Sequence, residues 1–304
     1  HLDLKIRRGT AGYPIALPRI LGLEGAGLVV ARGQGVASVD VGRRVLVLPW
    51  KRCGECPSCQ GGQENLCARS RILSIHADGC YAEYVCVPVE QLVPLPDEVS
   101  FEQAAAIPTA MGTAWHAVHT IARVQPGETV LVMAATSGVG VALVQMAHQA
   151  GARVIAAGRD PVKLARVAEL GAAAVLSYDE PDWVERVREL TDGVGVDVVF
   201  EQIGGRMLAT ALRCLRKRGR VVSYGASGGL SVGFDDWQFV YRHEFQIFGA
   251  TSSCRHEVQR VLDLVRQGRL RAVVGSVFPL AEAVRAHQLL EDRGHFGKVV
   301  LIPG

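Results

Sequence analysis

From Glu128 to Ala250 the chain alternates short, almost wholly apolar runs with stretches of helical periodicity, and that alternation leaves few folds open. ETVLVMAA is followed by VGVALVQMAHQA, ARVIAAG by PVKLARVAEL, AAVLSY by DWVERVREL and VDVVFEQI by MLATALRCL, and RVVSYG and FQIFGA close the series. Runs this apolar belong to strands covered on both faces, as in a parallel sheet whose crossover helices pack above and below it. The pattern predicts a doubly wound α/β domain of the dinucleotide-binding, Rossmann type over residues 111–250.

Residues 1–110 read differently. Short β-rich runs (AGLVVA, RRVLVLPW, YAEYVCVPV) are separated by Gly and Pro signals, and no helix of length comes before FEQAAAIPTAMGTAWHAV. This part is predicted to be a mostly β domain. After Ala250 a helix (HEVQRVLDLVRQG), a strand (AVVGSVFPL), a helix (AEAVRAHQLLEDR) and a strand (GKVVLIP) make up residues 251–304. With 304 residues, 49% of them hydrophobic, there is material for two cores. A net charge of +3 gives no reason to expect nucleic acid or an acidic surface as partner, and no apolar run reaches the length of a membrane span. A small-molecule substrate is the expectation.

The chain opens on HLDLKIRRG, without an initiator Met and without a secretory pattern. Four of its eight cysteines fall in one loop, whereas Cys80, Cys86, Cys214 and Cys254 are scattered through apolar sequence, as buried thiols are. That usage fits a reducing, cytoplasmic setting. In the loop, CGECPSCQGGQENLC, the spacing C-x2-C-x2-C-x7-C lets Cys53, Cys56, Cys59 and Cys67 converge on one tetrahedral ion. Disulfides between residues three apart are strained, and a nucleic-acid zinc ribbon wants two widely separated CxxC pairs. The expectation is one structural zinc ion, closed to substrate because four thiolates leave no open coordination position.

The stretch MAATSGVGVALVQMA stands between a predicted strand and a predicted helix, where a phosphate-binding turn must lie. Ser137, Gly138, Val139 and Gly140 are its candidate cofactor residues. The glycines let the backbone approach a pyrophosphate, and the helix N-terminus offers N–H donors and partial positive charge. The plainer reading is a tight strand-to-helix turn, since Ala135 and Ser137 occupy the first two glycine positions of a strict GxGxxG. The next strand ends at Gly158, where an NAD site would carry an acidic residue for the ribose hydroxyls, and Arg159 follows. A small residue leaves room for a 2′-phosphate that Arg159 and Lys163 can grip, so the expected cofactor is NADP(H). NAD(H) stays open, with Arg159 as a solvated charge and Asp160 in the acidic role.

With both features in hand, the chain resembles the medium-chain dehydrogenase/reductase superfamily, in its group of zinc-type alcohol dehydrogenases and quinone oxidoreductases. HLDLKIRRG, LGLEGAGLVV, VGRRV, the four-cysteine loop, AAAIPTAMGTAWHAV, the GVG turn and FGKVVL carry the likeness along nearly the whole chain. The resemblance implies a GroES-like catalytic domain formed by both ends of the chain, a Rossmann domain between them, a cleft for the nicotinamide, and a homodimer or homotetramer. It also implies that about forty N-terminal residues usual in the family, ending in its first ligand cysteine, would precede His1.

Alcohol dehydrogenases of this family bind a catalytic zinc through that cysteine, the His of a GHE motif and a later Cys. Here Leu23 stands at the His position and Thr109 at the later Cys, and Leu2 replaces a hydroxyl residue that relays the alcohol proton. Leucine cannot ligate a metal, and a threonine hydroxyl is a feeble ligand beside a thiolate. The resemblance therefore implies a member without the catalytic zinc. Such members reduce quinones and enones, whose conjugation spreads the charge that zinc would otherwise stabilise.

Thr109, Glu24 and Asp3 are the candidate catalytic residues. Thr109 would donate a hydrogen bond to the substrate; Glu24 and Asp3, which flank the zinc shell in metal-bearing relatives, would order the cleft floor. His1 and Lys298 match basic positions that contact cofactor phosphate in relatives, Lys298 having a surface charge as its plainer reading. Gly204, Gly225 and Gly249 end later strands on the expected cofactor side. His116 and His119 are three apart on the crossover helix; packing is the plainer reading and proton donation the sharper one. Two alternatives stay open: a zinc-dependent alcohol dehydrogenase, and a non-catalytic NADPH-binding sensor.

Overall fold

A computed structural model of the chain describes residues 1–231 and 237–304. The chain forms two compact units, one of His1–Gly112 with Ser252–Gly304 and one of Thr113–Thr251.

The first unit opens with α1 (Leu2–Arg7), which buries Leu4 and Ile6. Strands β1 (Gly25–Leu28) and β2 (Arg44–Val47) pair antiparallel; β3 (Trp50–Lys51) leads into the cysteine loop with α2 (Pro57–Gln60), and β4 (Arg71–Ile72) pairs back on β3. Strand β5 (Leu92–Pro94) completes the sheet β1-β2-β5. Ser100 then starts α3 (Phe101–Ala105) with a full capping box, its hydroxyl accepting the N–H of Gln103 while the Gln103 side chain accepts the N–H of Ser100. A π-helical turn, Ile107–Met111, follows and carries Thr109, and Gly112 begins α4 (Gly112–Trp115). The run YAEYVCVPV, expected as a strand, forms no strand. Its alternation is genuine, but a strand needs a ladder, and no described strand pairs with it.

In the second unit, a π-helical segment His116–Ala122 precedes β6 (Thr129–Val132), α5 (Gly138–Gln149), β7 (Arg153–Gly158), α6 (Pro161–Ala168), β8 (Ala174–Ser177) and α7 (Trp183–Glu189). Then come β9 (Val196–Glu201), α8 (Gly205–Leu212), β10 (Leu215–Ser223), α9 (Trp237–Arg242) and β11 (Gln246–Gly249). All six strands are parallel, in the order β11-β10-β9-β6-β7-β8. This is the doubly wound sheet that the apolar runs predict. Leu131, Ile155, Val199 and Val221 from four of its strands are buried, with Val187, Leu208 and Leu212 from the covering helices. The strand order reverses between β6 and β9, and open α/β sheets bind ligands beyond the strand ends at such a switch point.

The chain returns to the first unit through α10 (Arg255–Arg266), β12 (Val274–Pro279), α11 (Ala283–Glu291) and β13 (Lys298–Ile302), with β12 and β13 paired in parallel. Among the described residues no helix is long and apolar enough to cross a membrane.

Candidate functional site

The end of β6 and the start of α5 are locked together by their smallest residues. Ser137 caps α5, its hydroxyl accepting the N–H of Gly140 at 3.0 Å. A Cβ on Gly140 would stand 2.3 Å from the carbonyl oxygen of Ala134, so this glycine is required for helix and strand to approach so closely. Gly138 and Val139 form the first turn of α5 at the switch point. From the far side of that point, the Gln202 amide, just past β9, donates to the Ser137 hydroxyl at 3.2 Å. Glu201 beside it is fully buried, and its carboxylate accepts the N–H groups of Ile203 and Gly204. Burial pushes that carboxyl above its ordinary range, while the two N–H donors oppose the rise. Gly225, after β10, faces the same Gln202, whose Cβ lies 3.3 Å from where a side chain would start, and Gly204 abuts the Gly229 carbonyl.

At the end of β7, Gly158 leaves room for Leu164, whose Cδ2 would lie 3.0 Å from an added Cβ. Arg159 projects outward, its guanidinium 3.2 Å from Asp179 and over the ring of Tyr178. Asp160 caps α6, accepting the N–H groups of Val162 at 2.9 Å and Lys163 at 3.2 Å. The Lys163 ammonium lies 3.6 Å from the second oxygen of the same carboxylate. These N–H bonds hold the Asp160 carboxyl below its usual range.

In the first unit, Glu24, Thr109 and Lys298 form one contact group. Glu24 accepts the backbone N–H of Thr109 at 2.6 Å on one oxygen and the Lys298 ammonium on the other. The Thr109 hydroxyl is buried and has no hydrogen-bond partner among the described residues. Asp3 adjoins this group through Gly22, whose N–H it accepts at 3.0 Å. Gly22 sits at φ +97°, and a Cβ there would collide with the Tyr81 ring and the Cys80 backbone. Burial, with Glu24 and Asp3 nearby, pushes the Cys80 thiol up to about 12. The Tyr81 hydroxyl reaches His287 Nε2 at 3.4 Å, and Arg7 donates to His287 Nδ1 at 3.0 Å. Because an arginine can only donate, His287 is neutral here with its proton on Nε2.

Leu23 occupies quite different surroundings. It is 5% exposed in a cluster with Ile6 and Ile75, against which Leu2, Leu21 and Ile15 also pack. His1 meets the His295 ring edge-on. His116 is buried, and His119 tilts against the Trp115 ring at 4.0 Å.

The cysteine loop is arranged as its spacing predicts. The four sulfurs lie within 4.8 Å of one another, and among the described residues no other group of His, Cys, Asp and Glu converges in this way. Cys53 Sγ is 3.5 Å from Cys67 Sγ and 3.8 Å from Cys59 Sγ. A zinc–sulfur bond of about 2.3 Å gives a tetrahedral edge of about 3.8 Å, so the donor set fits zinc. The backbone N–H groups of Glu55 and Cys56 favour the Cys53 thiolate and bring it down to about 6. Arg52, stacked on Trp50 and bonded to Ser70 at 2.7 Å, sets a positive charge beside Cys67 and Cys59.

Sequence reasoning missed Gln202, Glu201, Tyr81 and His287. FEQIGG at the end of β9 held a signal for the first two, because it lies opposite the GVG turn once the strand order is known. Tyr81 and His287, 206 positions apart, left none.

A parallel sheet with a glycine turn at its switch point, in one chain with a β unit bearing a four-cysteine loop, defines a dehydrogenase-type oxidoreductase. Two family models match the chain: an alcohol dehydrogenase GroES-like domain over residues 1–97 and a zinc-binding dehydrogenase over residues 138–267. A 2-haloacrylate reductase of Burkholderia sp. is 30% identical over 309 residues, covering 96% of this chain and 85% of the relative. Quinone oxidoreductase 1 of Escherichia coli K12 is 32% identical, covering 99% of this chain and 87% of its own length. A crystal structure described as an NAD-dependent alcohol dehydrogenase superposes with a TM-score of 0.92 at 41% identity, covering 100% of this chain and 88% of that one. The chain belongs to the medium-chain dehydrogenase/reductase superfamily, in its group of zinc-binding alcohol dehydrogenases and quinone oxidoreductases.

Proposed function

We propose that this oxidoreductase reduces a quinone, an enone or another activated carbonyl by hydride transfer from NADPH, without a catalytic zinc. The observation that carries this reading is the packing of Leu23. The residue at a ligand position of metal-bearing relatives is an apolar core residue here, with Leu2 at the proton-relay position packed on the same cluster. The leucine side chain offers a cation no donor.

The nicotinamide nucleotide, when bound, supplies the hydride. The residues around the α5 turn bind its phosphates: the N–H groups of the first turn face the switch point, and the Ser137 cap and the Gln202 amide fix that turn in place. Thr109 serves the other reactant. Its N–H is bonded to Glu24, so its hydroxyl is the group left to donate to an oxygen on which negative charge develops. Glu24 neutralises Lys298 and orients Thr109 at the same time.

For the cofactor, both Asp160 oxygens are already engaged by the first turn of α6 and by Lys163, which weighs against Asp160 as the acid for the ribose hydroxyls. Arg159, 47% exposed and one residue past Gly158, supports recognition of a 2′-phosphate. The four thiolates would hold one structural zinc. The open edge of β11, with Ile247 exposed, supports a homodimer or homotetramer.

The similarity to an NAD-dependent alcohol dehydrogenase favours a second reading, alcohol oxidation with NAD and a second zinc. Metal analysis of the full-length protein, together with NADPH and NADH oxidation over a panel of quinones, enones and aldehydes, decides between the two. One zinc per chain with NADPH-dependent turnover of conjugated substrates supports the first reading. Two zincs with NAD-dependent alcohol oxidation supports the second, and tight nucleotide binding without turnover leaves a sensor.

A further inference from the structure

The thiolate loop reaches beyond its own fold. Between Cys59 and Cys67 it carries Glu64, whose carboxylate accepts the backbone N–H of Arg255, the first residue of α10. The thiol of Cys254, the residue capping α10, donates to the Gly62 carbonyl at 3.4 Å and to the Asn65 side-chain oxygen at 3.3 Å. Within the helix, Glu257 accepts the N–H of Cys254 at 2.7 Å. The first N–H groups of a helix have no partner inside it, so a carboxylate from a distant loop acts as a cap and matches the positive end of the helix dipole.

Just before α10, the fully buried Ser253 presses on the segment that carries Thr109. A Cβ on Gly112 would stand 2.4 Å from Ser253 Oγ and 3.2 Å from Val258 Cγ2. Helix α10 also packs against the Ile107–Met111 turn. Space this tight gives α10 no freedom to shift its first turn while residues 107–112 stay still.

We propose that Glu64 makes the thiolate loop a positioning element for Thr109: the metal-ordered loop caps α10, and α10 fixes the Ile107–Met111 turn. Glu64 is a positioning residue that touches neither substrate nor cofactor. The consequence for turnover rests on the reading of Thr109 given above, whereas the mechanical link does not.

Amide hydrogen exchange over residues 107–112 and 255–258 of the full chain, zinc-loaded and after chelation, tests it. In the parent, chelation should speed exchange in both segments about fivefold, the scale of a lost cap. Glu64→Ala should keep its zinc, exchange fast without chelation, and respond to chelation at 107–112 by less than about twofold. Glu64→Gln, which retains an acceptor oxygen, should restore slow exchange. Glu55→Ala, which removes the surface partner of Arg69 in the same loop, should leave 107–112 unchanged. The proposal is overturned if chelation leaves exchange at 107–112 unaltered in the parent, a measurement that decides even where Glu64→Ala does not accumulate. It is equally overturned if Glu55→Ala and Glu64→Ala speed exchange alike. A parent without turnover on quinones and enones would sink the functional reading and leave the exchange result standing.

Discussion

Glu24 and Lys298 are in direct contact although 274 positions separate them, and the second carboxylate oxygen of Glu24 holds the backbone of Thr109. The pair fixes a backbone and leaves a hydroxyl uncommitted. Thr109→Val should therefore separate activity from stability. Turnover of an enone, as kcat/KM, should fall about 10- to 100-fold as the donor is lost. The urea midpoint should hold or rise, because an unpaired buried hydroxyl costs about 1–3 kcal/mol. Thr109→Ser should retain most of the activity. Undiminished kcat/KM in Thr109→Val would remove Thr109 from the mechanism.

Arg159 and Asp160 are neighbours with different contacts, Arg159 at Asp179 and Asp160 at the start of α6, and on the proposed NADPH reading their variants should diverge. Arg159→Ala should raise the KM for NADPH about tenfold or more, the scale of a lost hydrogen bond to a charged group, with little change for NADH. Asp160→Ala should leave the preference between the nucleotides unchanged and lower stability by about 1 kcal/mol, as loss of a helix cap does. Steady-state kinetics with both nucleotides, beside urea titration, provide the check. A switch of preference in Asp160→Ala would mean that the carboxylate faces the cofactor.

Gly140 has no room for a side chain. A methyl group 2.3 Å from the Ala134 carbonyl must push α5 off β6, so Gly140→Ala should lose about 3 kcal/mol in urea unfolding and most nucleotide binding. Unchanged stability would show that the turn yields more readily than its packing implies.

Burial first, then the adjacent Arg7 guanidinium, pulls the His287 imidazole below its ordinary value, against smaller opposing effects from Asp3 and Glu291. A histidine kept neutral in the folded state binds its proton more readily when unfolded. Its contribution is therefore intact above about pH 6.5 and is lost as the pH falls below that. His287→Phe keeps a ring against Tyr81 and removes the titration, so its urea midpoint should decline less than the parent's between about pH 7.5 and pH 5.5. Parallel declines would place the sensitivity elsewhere.

Local features were legible because their signals are local. Apolar runs alternating with helical periods could belong only to strands covered on both faces, and Cys53, Cys56, Cys59 and Cys67 lie within fifteen consecutive positions. The bond of Glu24 to Lys298, or of Gln202 to Ser137, leaves no trace in spacing, since it depends on which strand ends the fold brings together. The YAEYVCVPV run shows the same limit for backbone, because its pattern says which residues alternate but not whether a partner strand exists. Asp160 carried a local signal, an acid directly before Pro161 at a helix start, which identifies a helix cap.

The return of Ser252–Gly304 to the first unit also orders events during synthesis. Thr113–Thr251 is continuous in sequence and can close as soon as it leaves the ribosome, whereas Glu24 must wait for Lys298, 274 positions later. A nascent chain that has not yet reached Lys298 would carry a finished parallel-sheet unit and an open partner lobe, the kind of intermediate that chaperones hold.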